Sequence, residues 1–331
     1  MCTFLLFLHS FRGRDDWASV ATHRHPLAYA LSYALSSLPH LRAQLRWLAL
    51  VRDEPVVRDA VRHDHRLLER WQHRYLSRGF TRGERLERVY DHFRFVATRL
   101  PASLLSSMYA QGRVVLSHID LDDGGVLELA WEPPVRRTCE GELDMVLSID
   151  GVRLYALTLA FAPSHGYLWV GCVQGPRGEV QALDVLRWAQ KRCHGLRPRH
   201  LLLSMAGVLA RHVGLAAIRG TSDATHPFRG TGKLKVSYDS IWTDAGARRL
   251  PDGSFEAASA DFMLRPKIVR TTHRAAYERR ESLRYRMTRN LLDTLVRPSY
   301  DREERLRMAL GRTDRSTAPA PVLSPRMGAT G

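Results

Sequence analysis

The loop Ser222–His226, reading SDATH, holds two side chains suited to proton transfer. His226 takes up and returns a proton near neutral pH, and Asp223, in the same loop, can orient its ring. That candidate base pair stands beside a plainer reading, in which His226 satisfies a buried backbone group. A second feature is the turn Gln174–Gln181, where a strand-like run ends and a helix-like run begins. Backbone N–H groups at Gln174, Gly175 and Gly178 can converge on an anion there, although Pro176 removes one donor. Arg197 and Arg199, in HGLRPR, precede a second helix. A helix N-terminus disfavours cations unless an anion lies between, so these two arginines are candidate ligands for a phosphate-bearing molecule.

Nine Lys and Arg lie between Arg265 and Arg289 against two acids, Glu278 and Glu281. Arg279, Arg280, Arg284 and Arg286, interleaved with Tyr277 and Tyr285, make an anion-binding candidate for lipid head groups or nucleic acid. The alternative is a solvated helix packed through Ala276, Leu283, Met287 and Leu291. Other combinations fail on geometry. Cys193 and His194 point about 100° apart on a helix, and His63 and His65 face opposite sides. FRGTGK lacks the first glycine and the terminal Ser or Thr of a phosphate loop. No metal site is expected.

The elements that must hold these groups fall into two regimes. Residues 26–110 read as helical, including a long polar helix over 56–80 with Arg58, Arg62, Arg66, Arg70, Arg74, Arg78 and Arg82 at intervals of four. That row reads as a solvated face or as an anion-binding ridge. From about Arg113 the period becomes two. RVVLSHIDL, VLELAWE, LDMVLSID, LYALTLAF and YLWVGCVQG, with turns at DDGG, EPP, DG and PSHG, predict a five-stranded antiparallel meander. Two helices, a strand (AAIRGTS), a hairpin over KVSYDSIWTDAGARRLPDGSFEAA and a basic helix complete the pattern. The domain reading is a helical region over 1–110, a core over 111–297, and a charged, then disordered tail over 298–331.

The 331 residues carry 50 Lys and Arg against 34 Asp and Glu, a formal charge of +16. Only four of the cations are Lys, a bias that codon usage alone can produce. The charge favours anionic partners, and nucleic acid stays open among them. Four scattered cysteines without metal spacing fit a reducing compartment, and no run approaches the roughly 18 apolar residues of a membrane span. The expected location is the cytoplasm.

EGEL (Glu140–Leu143), LYALTLAF, VGCVQG (Val170–Gly175), HGLRPRHLLL, SDATH, SYDSIW (Ser237–Trp242) and AYERRESLRYRM together resemble the VirK/YbjX family of bacterial proteins, over roughly His25 to Leu295. The resemblance implies links to envelope stress, virulence and tolerance of antimicrobial peptides. It implies no reaction and transfers no catalytic residue. The turn at Gln174–Gln181 also looks like a loose form of the pyrophosphate loop of the GCN5-related acyltransferases, without its second closely spaced glycine. The expected fold is α+β: a helical N-terminal region, then a largely antiparallel sheet core with packed helices, of GCN5-related acyltransferase-like kind. Two functions stand side by side. One is an acyl-CoA-dependent acyltransferase using His226 or Asp223 as base; the other is a non-catalytic binder of an acidic membrane surface or nucleic acid.

Overall fold

The computed structural model describes residues 5 and 7, 26–134, 139–176, 179–232, 234, 236–262 and 271–313, with backbone alone for 26–30, 179–181, 271–273 and 297–313. Helices α1 (Pro26–Ser37), α2 (Leu41–Asp53), α3 (Pro55–His63), α4 (Arg82–Arg99) and α5 (Ala102–Gln111) form the N-terminal region. The expected long helix over 56–80 is not formed. α3 stops at His63, and short 3-10 turns at His65–Leu68 and Arg70–Gln72 follow. Asp64 explains the stop: its backbone is extended and its carboxylate accepts the Arg66 N–H, so side chain competes with helix. The arginine row is therefore broken, and Arg70 turns inward to pair with Glu142 and Asp64. Thr81 and Glu84 then start α4 with a reciprocal capping box.

The period-two runs form strands β1 (Val114–Asp120), β2 (Val126–Glu132), β3 (Leu143–Ile149), β4 (Val152–Ala162) and β5 (Tyr167–Gln174), paired antiparallel in sequence order. Helices α6 (Glu179–Arg192) and α7 (Pro198–His212) make the crossover to β6 (Ala217–Gly220), which lies parallel to β5. Gly195, at φ +85°, ends the α6 turn by donating its N–H to Gln190, and Pro198 opens α7.

The segment expected as the first arm of a hairpin is instead helix α8 (Tyr238–Asp244), capped by Ser237. The hairpin is smaller, joining β7 (Arg248–Arg249) to β8 (Phe255–Ala258). Strand order is β1-β2-β3-β4-β5-β6-β8-β7. The protein is α+β, with a helical N-terminal region and a largely antiparallel sheet.

Both faces of the sheet are covered, which is why β3 to β5 read as nearly unbroken apolar runs. On one face Leu157, Leu159, Leu168 and Val170 pack into a core with α7 and with Leu283, Met287 and Leu291 of α9 (Thr271–Thr313). On the other, Ala160, Ala162, Tyr167 and Trp169 meet Trp47, Trp71, Tyr75 and Phe93 of the N-terminal region. α9 also covers the exposed edge of the sheet. Asn290 and Thr294 donate to the β1 carbonyls of His118 and Leu116, pairing groups that would otherwise invite a second chain. It runs past Arg297, so the tail continues as helix to Thr313; residues beyond it lie outside the described ones.

Candidate functional site

β5 and β6 pair from Tyr167 and Ala217 to Val170 and Gly220, and the pairing ends there while β5 runs on to Gln174. The register between β4 and β5 shifts at the same level, between Thr158–Cys172 and Leu159–Val170, so Gly171 is the extra residue of a bulge. Glycine is required there because a Cβ would collide with the carbonyl of Glu140, whose segment crosses the sheet on its way into β3. Beyond the bulge Val173 turns its N–H away from β4. The Tyr238 hydroxyl oxygen, at the start of α8, accepts it at 3.4 Å. The same hydroxyl donates to Cys172 Sγ at 3.4 Å. Burial pushes the Tyr238 phenol well above its ordinary range and keeps it protonated. Burial, then the Glu140 carboxylate, pushes the Cys172 thiol up as well, so it is a poor nucleophile.

His226 is buried in the loop that follows β6, its ring 4.6 Å from that of Tyr238. Its Nδ1 accepts the Phe228 N–H at 3.0 Å, which assigns the proton of the neutral ring to Nε2. Nε2 faces Glu140 Oε1 at 3.2 Å, off the line of a full hydrogen bond. Asp223 makes its hydrogen bonds elsewhere. Its carboxylate accepts the Tyr238 N–H at 2.6 Å and the Ser237 hydroxyl at 2.8 Å, fastening the start of α8. The expected dyad is thus two separate devices. Asp223 holds the helix that carries Tyr238, and His226 holds Glu140.

The other candidates divide between two places. Gln174 and Gly175 close β5 and run toward the α6 N-terminus; Gly178 lies outside the described residues. Arg197 and Arg199 sit instead at the start of α7, where Arg199 pairs with Asp244 at 3.1 Å. Arg197 lines a cleft there together with Arg280 and Arg284 of α9. Arg279 and Arg286 face solvent on the other side of that helix, so the four expected anion-binding arginines do not share one face. No cluster of three metal-ligating side chains occurs among the described residues.

The family model described as "Protein of unknown function (DUF535)" matches residues 22–294, most of the chain and all of the sheet. The chain belongs to this family. Its relatives include the Escherichia coli (strain K12) "Uncharacterized protein YbjX", 22% identical over 231 residues, 67% of this chain and 70% of that protein. A Haemophilus influenzae "Uncharacterized protein" is 22% identical over 173 residues, 51% of this chain and 57% of that one. These matches bear out the VirK/YbjX resemblance.

Among the described residues of this DUF535 protein, no helix is long and apolar enough to cross a membrane. Cys139, Cys172 and Cys193 are free thiols. Glu140, Cys172 and Tyr238, the groups that reading from sequence left without a role, all fall inside motifs that carry the family resemblance: EGEL, VGCVQG and SYDSIW.

Proposed function

We propose that this DUF535 protein is a cytoplasmic acyl-CoA-dependent transferase that moves an acyl group from a thioester to an amine or hydroxyl held against Glu140. One observation carries the reading. The parallel pair ends at Val170 and Gly220, and just beyond it the Val173 N–H, the Tyr238 hydroxyl and the Glu140 carboxylate lie together around Cys172. Ligands of open sheets bind at such divergence points, beyond the carboxyl ends of parallel strands. An acyl-CoA held as in the GCN5-related acyltransferases would lay its amides along the splayed strand and its diphosphate on the turn after Gln174. Free thiols fit a reducing cytoplasm. Envelope stress and peptide tolerance, implied by the VirK/YbjX resemblance, are the proposed physiological setting.

The proton bookkeeping fits the residues present. Nδ1 of His226 is committed to the Phe228 N–H and Nε2 faces the Glu140 carboxylate, so Glu140 is assigned as the base and His226 as its positioning residue. Glu140 takes the proton of the attacking N–H or O–H while the acyl–sulfur bond breaks and the acyl–nitrogen or acyl–oxygen bond forms. Tyr238, protonated and already donating to a sulfur, gives its proton to the departing thiolate and recovers one from solvent.

Calorimetry with acetyl-CoA and octanoyl-CoA, and release of free thiol in the presence of an amine panel, test the proposal. Wild type should bind and release thiol. Tyr238→Phe should bind comparably and release it about 10–100-fold more slowly. Absence of binding to either acyl-CoA would sink the reading. Salt-dependent binding of phosphatidylglycerol vesicles or nucleic acid in its place would favour the non-catalytic alternative.

A further inference from the structure

Between the start of α7, the end of α8 and the inner face of α9 lies a cleft of about 1010 Å³, a size suited to a small organic ligand. Its walls combine apolar groups, among them Leu203 and Phe262, with the guanidinium groups of Arg197, Arg280 and Arg284. The acids nearby are engaged. Asp244 pairs with Arg199, which approaches from outside the lining, and Glu281 pairs with Arg284 at 3.1 Å. Asp261 lies on the 3-10 turn Ser259–Phe262 at the cleft wall.

Arg197 and Arg280 have no carboxylate partner among the described residues, and Arg284 Nε is buried without a hydrogen-bond acceptor. Arg280 bends toward the α6–α7 connection: its Nη1 comes within 3.9 Å of where a Cβ on Gly195 would stand. Arg197 and Arg280, the latter with its Nε donating to the Ala276 carbonyl at 3.2 Å, thus both line the cleft at the positive end of the 15-residue α7, an arrangement that favours an anion. His200, in the same wall, is depressed below the usual histidine range first by burial, then by Arg199, Arg197 and Arg284, with Asp244 opposing.

We infer that this cleft binds a phosphate monoester on a partly apolar body, its phosphate held between Arg197 and Arg280 and its apolar part against Leu203 and Phe262. A dianion matches two guanidinium forks better than a single carboxylate does. The inference is independent of the acyl-transfer reading. None of Glu140, Val173 or Tyr238 lines this cleft, so either can fail alone.

The test is calorimetry on the full chain with hexyl phosphate, inorganic phosphate and hexanoate. Dihexanoyl phosphatidic acid and adenosine monophosphate then distinguish a lipid from a nucleotide source. Hexyl phosphate should bind at least about tenfold more tightly than inorganic phosphate or hexanoate, since each of those lacks one half of the match. Arg197→Ser, at an exposed position that should fold normally, and Arg280→Ser should each weaken hexyl phosphate by about tenfold or more. Arg289→Ser, on the outer face of α9, should not. Equal affinity in wild type and both cleft variants would overturn the inference, as would equal weakening by Arg289→Ser or no binding of hexyl phosphate at millimolar concentration.

Discussion

His226 is anchored at one end and faces a charge at the other: its Nδ1 accepts the Phe228 N–H at 3.0 Å, and its Nε2 lies 3.2 Å from Glu140 Oε1. A ring so placed, closed to solvent, is a support for the carboxylate that approaches it from the β3 entry. His226→Ala should therefore cost about 1–3 kcal/mol of stability, because a buried N–H loses its acceptor. Glu140→Gln should cost less and, if acyl transfer is the activity, lower thiol release by about 10²–10⁴-fold. His226→Asn, which can keep one of the two contacts, should fall between. Denaturation midpoints set beside thiol release separate support from chemistry. A stable, inactive His226→Ala protein would overturn this assignment of roles.

Tyr238 joins α8 to two successive residues of β5 through one oxygen, accepting from Val173 N–H and donating to Cys172 Sγ. Tyr238→Phe should lower stability by about 1 kcal/mol by leaving that N–H unmatched at the strand edge. Cys172 should resist alkylation at neutral pH, since burial and Glu140 both oppose the thiolate. Mass-spectrometric labelling with iodoacetamide checks this. Labelling of Cys172 as fast as an exposed thiol would contradict the packing of Tyr238 against β5.

Asp144 gives a pH signature. It is buried on β3, accepts from the Thr158 hydroxyl at 2.7 Å and pairs with Arg153 at 3.2 Å, yet desolvation pushes it up to about 6. A carboxyl raised above its unfolded value favours folding only while protonated. The native state binds more protons between about pH 4 and 6, so stability falls as pH rises through that window and levels off above it. The change is on the order of 3 kcal/mol. Carboxylates such as Asp123 and Glu256 are held low by Arg192 and Arg219 and slope the other way. The readable quantity is therefore the difference between wild type and Asp144→Asn. It should change across pH 4 to 6 and be flat from 6 to 8.

What could be read from the chain alone follows physical range. The five-strand meander shows because alternation and turn residues such as Asp150–Gly151 are local, and a sheet covered on both faces keeps them apolar. α8 was hidden because Val-Ser-Tyr-Asp-Ser-Ile-Trp alternates like a strand, and seven residues are too few to show a helical period. Its start depends on Asp223, fourteen residues away from the Ser237 cap. The arginine row from Arg58 to Arg82 looked helical because spacing carries no record of Asp64 turning back on the chain. The pairing of His226 with Glu140 is invisible to spacing altogether. Their meeting depends on the β3 entry crossing β5 at Gly171.

Arg70 is where the N-terminal region is fastened to the sheet. One end of its guanidinium meets buried Glu142 at the β3 entry and the other meets the partly exposed Asp64. Removing one partner of a buried pair leaves an uncompensated charge, so Arg70→Ala should cost about 3–5 kcal/mol. Removing both costs much less: Arg70→Met with Glu142→Gln should recover most of that loss, since the desolvation penalty of both ions vanishes. Limited proteolysis gives a spatial readout. Arg70→Ala should become sensitive between α3 and α4 while β1–β5 stay protected, and the double variant should regain resistance. If Arg70→Ala and the double variant are equally destabilised, the pair does not couple the two regions, and the docking of the helices rests on the apolar contacts of Trp71 and Tyr75 with the sheet.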